Sequence, residues 1–319
     1  MYNFNNGWEV IKTMEKRMDG TFVSNVLYEE LNKYLEEKGK SNDYYDRIRP
    51  KVKIISVGVD FGSQMYGKMK NKKLSEIVGY TVDAEHCDFL SAGDLMLTIE
   101  NANRDGMIDG IMLQLPLPKD LAKYERMILD TIDPKKDVDG LTSGSLGKLM
   151  VGSSSLESCT PKGIITLLKV YGIDLLGKNV CIINRSNIVG KPLGQMFLRE
   201  NSTPVICHSK TKNLKEISKG ADIVVAAMNK QEMLDDNYIK DGAVVIDVGV
   251  HKNSEGKTVG DVNFDSVYDK CSLITPPTGG VGPMTICMLA YNVAKAKYGD
   301  EVDLVLDVGI ERAKVLIKK

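Results

Sequence analysis

Two side chains set four residues apart carry the first chemical suggestion, Tyr66 and Lys70 in the run Tyr66-Gly-Lys-Met-Lys70. On a helix, positions i and i+4 lie one above the other on a single face, so this spacing offers a phenol and an amine to one site. An amine near a hydroxyl, with few other charges around it, can have its pKa lowered by desolvation until it acts as a general base. The same segment holds Lys68, Lys72 and Lys73, and a solvated basic helix face reads alike.

Four further runs are chemically suggestive. Gln114-Leu-Pro-Leu-Pro118 follows a strand-like segment, and ligands of open α/β sheets bind outside the carboxyl ends of strands. Gln114 there could hydrogen-bond a lysine or a substrate, or simply face water. Lys136-Asp-Val-Asp139-Gly140 resembles the start of a calcium loop. However, the next liganding positions are Leu141, Ser143 and Ser145, and no bidentate glutamate follows, which rules that loop out. A carboxylate turn binding an amino-pyrimidine-like donor stays open. In Ile182-Ile-Asn-Arg-Ser-Asn-Ile-Val-Gly-Lys-Pro192 a strand runs into a helix near Gly190, and a helix N-terminus favours a pyrophosphate. The usual G-x-G-x-x-G is absent. The next strand ends in Cys207-His-Ser209-Lys210 without an acidic residue, so Arg185, Ser209 and Lys210 could receive a 2′-phosphate, favouring NADP over NAD. Finally, Thr278-Gly-Gly-Val-Gly-Pro-Met-Thr285 has three glycines within four residues, allowing close backbone approach to a ligand or a tight loop, with Pro283 starting a helix.

The elements that must hold these residues alternate. Residues up to about 45 read as helical and polar, with Phe22, Val26, Leu27, Leu31 and Leu35 in a 3.6-residue rhythm. Val52–Gly58 is a short apolar run of the kind found in buried parallel strands. A helix from Ser63 to about Val78, a strand near Gly79–Val82, a helix over Leu95–Asn101 and a strand over Gly110–Gln114 follow. A glycine- and serine-rich connection after Asp137 leads to Cys159-Thr-Pro161, where Thr160 is expected as N-cap and Pro161 as first helical residue. Strands are then expected at Asn179–Ile183, Pro204–Cys207, Ile223–Ala226 and Ala243–Val248, a second alternation of Rossmann character. A last helical stretch begins near Pro283 and is expected to pack back.

With 319 residues, 43% hydrophobic and 27% charged, the chain reads as an ordinary two-domain globular protein. A net charge of −1 argues against nucleic acid as a partner. Six scattered cysteines without a C-x-x-C pair fit a reducing, cytoplasmic setting. The pair His86-Cys87, with only three histidines in all, argues against a zinc site, and no metal is expected. No secretory signal is evident. No apolar run reaches the ~20 residues of a membrane span.

Taken in order, these segments resemble the bifunctional methylenetetrahydrofolate dehydrogenase/methenyltetrahydrofolate cyclohydrolase family. The residues that carry the likeness are Ser63-Gln64 with Tyr66 and Lys70, Gln114-Leu-Pro-Leu-Pro118, Lys136–Gly140, Cys159-Thr-Pro161, Arg185-Ser-x-x-Val-Gly-x-Pro192, Gly260-Asp-Val262 and Gly279–Thr285. The resemblance implies two α/β domains flanking a cleft: a folate-binding catalytic domain over residues 1–158, with 284–319 packing back onto it, and a Rossmann-type NAD(P)-binding domain over 159–283. It implies oxidation of 5,10-methylenetetrahydrofolate with NADP (NAD possible), then hydrolysis to 10-formyltetrahydrofolate, by a homodimer. Lys70 is then the base that activates water, Gln114 its holder, and Tyr66 a group at the folate. Asp139, Gly280 and Pro283 fall to the substrate, and Asn184, Arg185, Ser186, Gly190, Ser209, Val250 and Thr285 to the cofactor.

The chain departs from the family pattern at Asp60-Phe-Gly62, at Asn184 where a glycine is usual, and at Met228-Asn-Lys-Gln231. Short-chain dehydrogenases also use Tyr-x-x-x-Lys, but there the cofactor-binding half precedes the pair. A monofunctional dehydrogenase would be expected to lose Lys70 or Gln114, and a non-enzymatic folate-binding paralogue would have no need of either.

Overall fold

The computed structural model describes residues 16–40, 49–58, 72–76, 81–87, 91–153 and 156–318. Tyr66, Lys70 and the Asp60–Gly62 departure lie outside them, as does the helix expected from Ser63 to Val78 except for residues 72–76, which are helical.

By its internal contacts the chain forms two compact units, Val23–Thr166 with Met284–Lys319, and Met1–Phe22 with Leu167–Pro283. The first is built on three parallel strands, β1 (Lys51–Val57), β2 (Thr81–Cys87) and β3 (Gly110–Leu113), in the order β2-β1-β3. β3 is buried along its whole length, because helices cover both faces of a parallel sheet. Ile55, Leu95, Ile99, Ile111, Leu113, Ile128 and Leu141 make one core there. The helix Ala92–Arg104 opens with a capping box, Ser91 and Asp94 satisfying each other's backbone N–H groups. Its other end is closed from a distance. The Lys136 ammonium donates to the carbonyls of Ala102, Asn103 and Asp105 at 3.2, 2.9 and 2.8 Å, where a cation also suits the helix dipole.

The second unit holds five parallel strands: β4 (Asn179–Ile183), β5 (Thr203–Cys207), β6 (Ile223–Ala226), β7 (Val244–Asp247) and, beyond a small hairpin β8 (His251–Lys252) and β9 (Thr258–Val259), β10 (Leu273–Ile274). Their order is β10-β7-β6-β4-β5. The chain leaves β4 to one side for β5 and then returns to the other for β6. That reversal is the topological switch point at which open α/β sheets bind ligands. β4, β6 and β7 read in sequence as runs dominated by valine and isoleucine because both their faces are buried.

Two expectations shift. The helix Cys159–Val170 begins one residue before Thr160; the Ser158 carbonyl takes the Lys162 N–H at 3.0 Å, so Ser158 holds the cap position. Thr160 instead meets Thr285, hydroxyl to hydroxyl, at 3.0 Å. The helix expected near Pro283 is Val281–Tyr298, with Pro283 inside its first turn, where a missing N–H costs nothing.

A last helix, Glu301–Ile317, buries Val302, Leu306, Ile310 and Ala313. Arg312 grips Glu29 and Glu30 at 2.6 and 2.5 Å, and a side chain at Gly309 would come within 2.7 Å of Leu27.

Candidate active site

In the first unit the site is approached from Gln114. Its backbone N–H continues the sheet by donating to the Ile55 carbonyl at 2.8 Å. The register Ile55↔Leu113 sets it beside the end of β1, the strand whose continuation leads to Tyr66 and Lys70. Its Nε2 donates to the Leu115 carbonyl at 2.9 Å. Its Oε1 is buried with no hydrogen-bond partner among the described residues. Leaving a buried acceptor unpaired costs about 1–3 kcal/mol, so this oxygen calls for a donor. Gly58 (φ 80°) closes β1 against the Leu-Pro-Leu-Pro run, since a Cβ there would come within 2.7 Å of Pro118.

The Asp-Val-Asp-Gly turn divides its two carboxylates. Asp137 is buried and spent internally, accepting the N–H groups of Leu141 and Thr142 at 3.2 and 2.8 Å. Asp139 is half-buried. The turn around it is held from three sides. Asn292 donates to the Val138 and Glu157 carbonyls at 2.9 and 2.7 Å, Ser158 to the Gly140 carbonyl at 3.0 Å, and Cys159 to the Val138 carbonyl at 3.3 Å. Gly140 takes φ 67° and has the Glu157–Ser158 peptide within 2.5 Å of where a Cβ would sit.

In the second unit, the loop after β4 departs from the expected phosphate cradle. Asn184 Oδ1 accepts the N–H of Ser186 at 2.7 Å and that of Gly190 at 3.0 Å. Gly190 opens the helix Gly190–Arg199. The helix N-terminus expected to attract a pyrophosphate already has acceptors of its own. Gly190 is buried, and a Cβ there would lie 2.0 Å from the Asn184 carbonyl oxygen, so its missing side chain serves this tight turn. Arg185 is exposed, with no carboxylate partner among the described residues. β4 and β5 run parallel with Ile183 opposite Cys207. Arg185 and Ser209, each two residues further on, therefore leave the same edge of the sheet on strands about 4.8 Å apart.

Gly280 is close-packed by the chain itself. A Cβ at Gly20 would lie 1.9 Å from the Gly280 carbonyl oxygen, and one at Gly280 would lie 2.6 Å from that of Pro276. Pro283 and Thr285 are half-buried and Val250 is exposed.

Sequence reasoning passed over a pair of buried carboxylates beside Val250. Asp247 accepts the N–H groups of Gly249, Asp261 and Val262 at 2.9, 3.0 and 3.0 Å. Asp261 is fully buried and accepts from the N–H groups of Met228, Asn229 and Lys230 at 2.6, 3.2 and 2.7 Å, with His251 Nε2 at 2.8 Å. Burial, and then the neighbouring Asp261 charge, push Asp247 up to about 6 against the pull of its three N–H donors. Gly249 and Gly260 are required here, since a Cβ at either would strike Asp261 or Asp247. The pair stitches the departing loop Met228–Gln231 to the segment carrying Val250. The signal that could have found it was an aspartate inside an apolar strand, in Val-Val-Ile-Asp247-Val-Gly.

A cavity of about 210 Å³ in this unit is lined by Arg17, Glu232, Lys257, Asp265 and Thr278 among others, and by none of the residues singled out for the cofactor. Among the described residues, no group of three His, Cys, Asp or Glu side chains is placed to hold a metal, and no helix is long and apolar enough to cross a membrane.

A parallel sheet reversing at β4, with a cationic loop at its switch point and a second α/β unit presenting a half-buried glutamine, defines a nucleotide-dependent α/β enzyme. Two family models agree with it: tetrahydrofolate dehydrogenase/cyclohydrolase, catalytic domain, over residues 18–139, and the NAD(P)-binding domain of the same family over 158–301. The chain belongs to the tetrahydrofolate dehydrogenase/cyclohydrolase family. It is 45% identical over 284 residues to the bifunctional protein FolD of Agathobacter rectalis, covering 89% of this chain and 99% of that one. The crystal structure of the bifunctional FolD enzyme of Campylobacter jejuni superposes with a TM-score of 0.81 at 39% identity, covering 88% and 97%. That of Trypanosoma brucei FolD, complexed with NADP cofactor and inhibitor, gives 0.80 at 30% identity, covering 87% and 95%.

Proposed function

We propose that this protein oxidises 5,10-methylenetetrahydrofolate to the 5,10-methenyl cation with NADP and then adds water to give 10-formyltetrahydrofolate. The observation that carries the reading is the buried Oε1 of Gln114, without a partner among the described residues, at the carboxyl edge of the first sheet. It is an acceptor waiting for an N–H of the neutral Lys70 amine, and it would hold that group in place. Lys70 would take a proton from the attacking water, and Tyr66 would pack and hydrogen-bond at the folate. Asp139, on a turn fixed by Asn292, Ser158 and Cys159, would accept hydrogen bonds from the pterin amino group. Gly280 and Pro283 would border the substrate, and Thr285 and Val250 the cofactor. The folate-binding catalytic part would span 1–158 with 284–319, and the cofactor part 159–283.

The second unit fits a 2′-phosphorylated dinucleotide. Arg185 is an exposed cation with no carboxylate partner among the described residues, in register with Ser209, and no acidic residue occurs from 203 to 215 to hold a ribose 2′-hydroxyl. Ser186 uses its oxygen to accept the Val189 N–H at 3.0 Å, leaving the hydroxyl hydrogen for an anion. Bound NADP would supply the hydride acceptor. The deciding experiment is absorbance-followed turnover of methylenetetrahydrofolate with NADP and with NAD: no turnover with either removes the reading, and equal efficiency with both removes the NADP preference.

The exposed edge of β5 supports a homodimer. Val205 and Ile206 stand 43% and 38% exposed on the outermost strand, with Leu198 nearby at 52%, and an apolar open edge is a ready template for a second copy. A Val205→Lys variant that still sediments as a dimer would remove this assignment. A cytoplasmic location is supported by five buried free thiols, Cys159, Cys181, Cys207, Cys271 and Cys287.

A further inference from the structure

The loop between β4 and its helix supplies acceptors of its own for the N–H groups around the helix start. Asn184 Oδ1 takes the N–H groups of Ser186 and Gly190, Ser186 Oγ takes that of Val189, the Ser186 carbonyl takes that of Lys191 at 3.0 Å, and the Val189 carbonyl takes that of Leu193 at 2.9 Å. Pro192 has none to offer. In the ordinary dinucleotide fold the first-turn amides of this helix face the pyrophosphate. Here a carboxamide stands where that anion would be received. Asn184 also reaches across the sheet, its Nδ2 donating to the Ala227 carbonyl at 2.5 Å, just past the end of β6. β4 and β6 flank the switch point. One side chain therefore bridges the two loops that border the crevice.

We infer that Asn184 is a positioning residue that substitutes for the cofactor's phosphates as ligand of the helix N-terminus, so that the loop is shaped before any cofactor arrives. The cofactor's charge is then met by side chains, Arg185 and the Ser186 hydroxyl foremost, which the Asn184 bridge holds in place. This rests on reading 184–190 as the dinucleotide loop.

The test is amide exchange by NMR on the protein without cofactor, with kinetics alongside. The Ser186 and Gly190 amides are expected to be protected in the cofactor-free protein. Asn184→Ala should speed their exchange at least tenfold while Val225 and Ile246 in the sheet keep theirs. Asn184→Asp retains both acceptor bonds and should keep Ser186 and Gly190 protected. In the alanine variant, KM for NADP should rise several-fold more than kcat falls. If those amides were instead the phosphate's ligands, Asn184→Ala would free them and lower KM. A lowered KM, a KM within twofold of the parent, or unchanged exchange each overturns the inference. Because exchange is read without cofactor or substrate, its failure leaves the dehydrogenase reading standing, and loss of that reading would leave the exchange result intact.

Discussion

Replacing Arg185 by alanine should separate the two nicotinamide cofactors. Among the described residues Arg185 has no carboxylate to compete for it, and it leaves the sheet beside Ser209, so its guanidinium is available for a phosphate that only NADP carries. A charge-assisted hydrogen bond contributes about 1.5–3 kcal/mol, and each 1.4 kcal/mol is a factor of ten. Because the side chain is exposed, the lower half of that range applies at ordinary ionic strength. The expected loss is therefore roughly ten- to fiftyfold in kcat/KM with NADP. With NAD the change should stay within about twofold, since NAD has no group at that position. Raising salt should shrink the parent's preference and leave the variant's ratio nearly flat. The assay is initial-rate kinetics with each cofactor at fixed methylenetetrahydrofolate, at two salt concentrations. An equal fall with both cofactors would refute the reasoning, because it would mean that Arg185 shapes the loop without reading the phosphate.

Lys70→Met should abolish hydrolysis of methenyltetrahydrofolate while measurable hydride transfer remains; persistent hydrolysis would remove Lys70 from the water step. Asp247 gives a pH signature. Its folded pKa of about 6 lies above the ordinary value near 4, so the native state binds the extra proton and stability falls as pH rises through that window. Below about 4 the penalty is absent, and above about 6 it is complete, at roughly 3 kcal/mol for two pKa units. Asp247→Asn does not titrate, so parent stability minus variant stability, from urea unfolding, should drop by about that amount between pH 4 and 6 and then level off. A difference that stays constant with pH would show that Asp247 does not carry the buried proton.

What the sequence made legible was what local pattern encodes. The strand limits at Asn179–Ile183 and Ile223–Ala226 coincide with those observed, because strands buried on both faces are uninterrupted apolar runs bounded by polar residues. Two-residue strands such as His251–Lys252 and Leu273–Ile274 have too little length to show a period. The cap at Ser158 was hidden by Thr160, a better-looking capping residue placed two positions late. The glycines were recognisable as close approaches, but what approaches could not be read. A side chain at Gly280 would meet the nearby Pro276 carbonyl, while the Gly280 carbonyl itself lies against Gly20, some 260 positions away in the chain (280 − 20). The Asp247–Asp261 network and the Asn184 bridge join residues distant in sequence, and no periodicity records such meetings. Asn184 was legible only as a departure, and its consequence came from the two N–H groups it holds.

The pairing at the rim of the second sheet bears on how the chain is made. Met18 and Ile274 are joined by a backbone hydrogen bond of 2.8 Å across 256 positions (274 − 18), and Lys16 accepts the Ile274 N–H at the same distance. At ordinary ribosomal speeds of about 5–20 residues per second, the leading segment is synthesised roughly 13–50 s before its partner strand exists. Neither compact unit is a contiguous stretch of chain. A fragment beginning after residue 22 would present the outer edge of β10 without the segment that covers it, an invitation to pair with another molecule. The sheet edge therefore closes late, once residues near 274 have emerged, and a nascent chain stalled before that point would lack the backbone pairing that seats its first segment on β10.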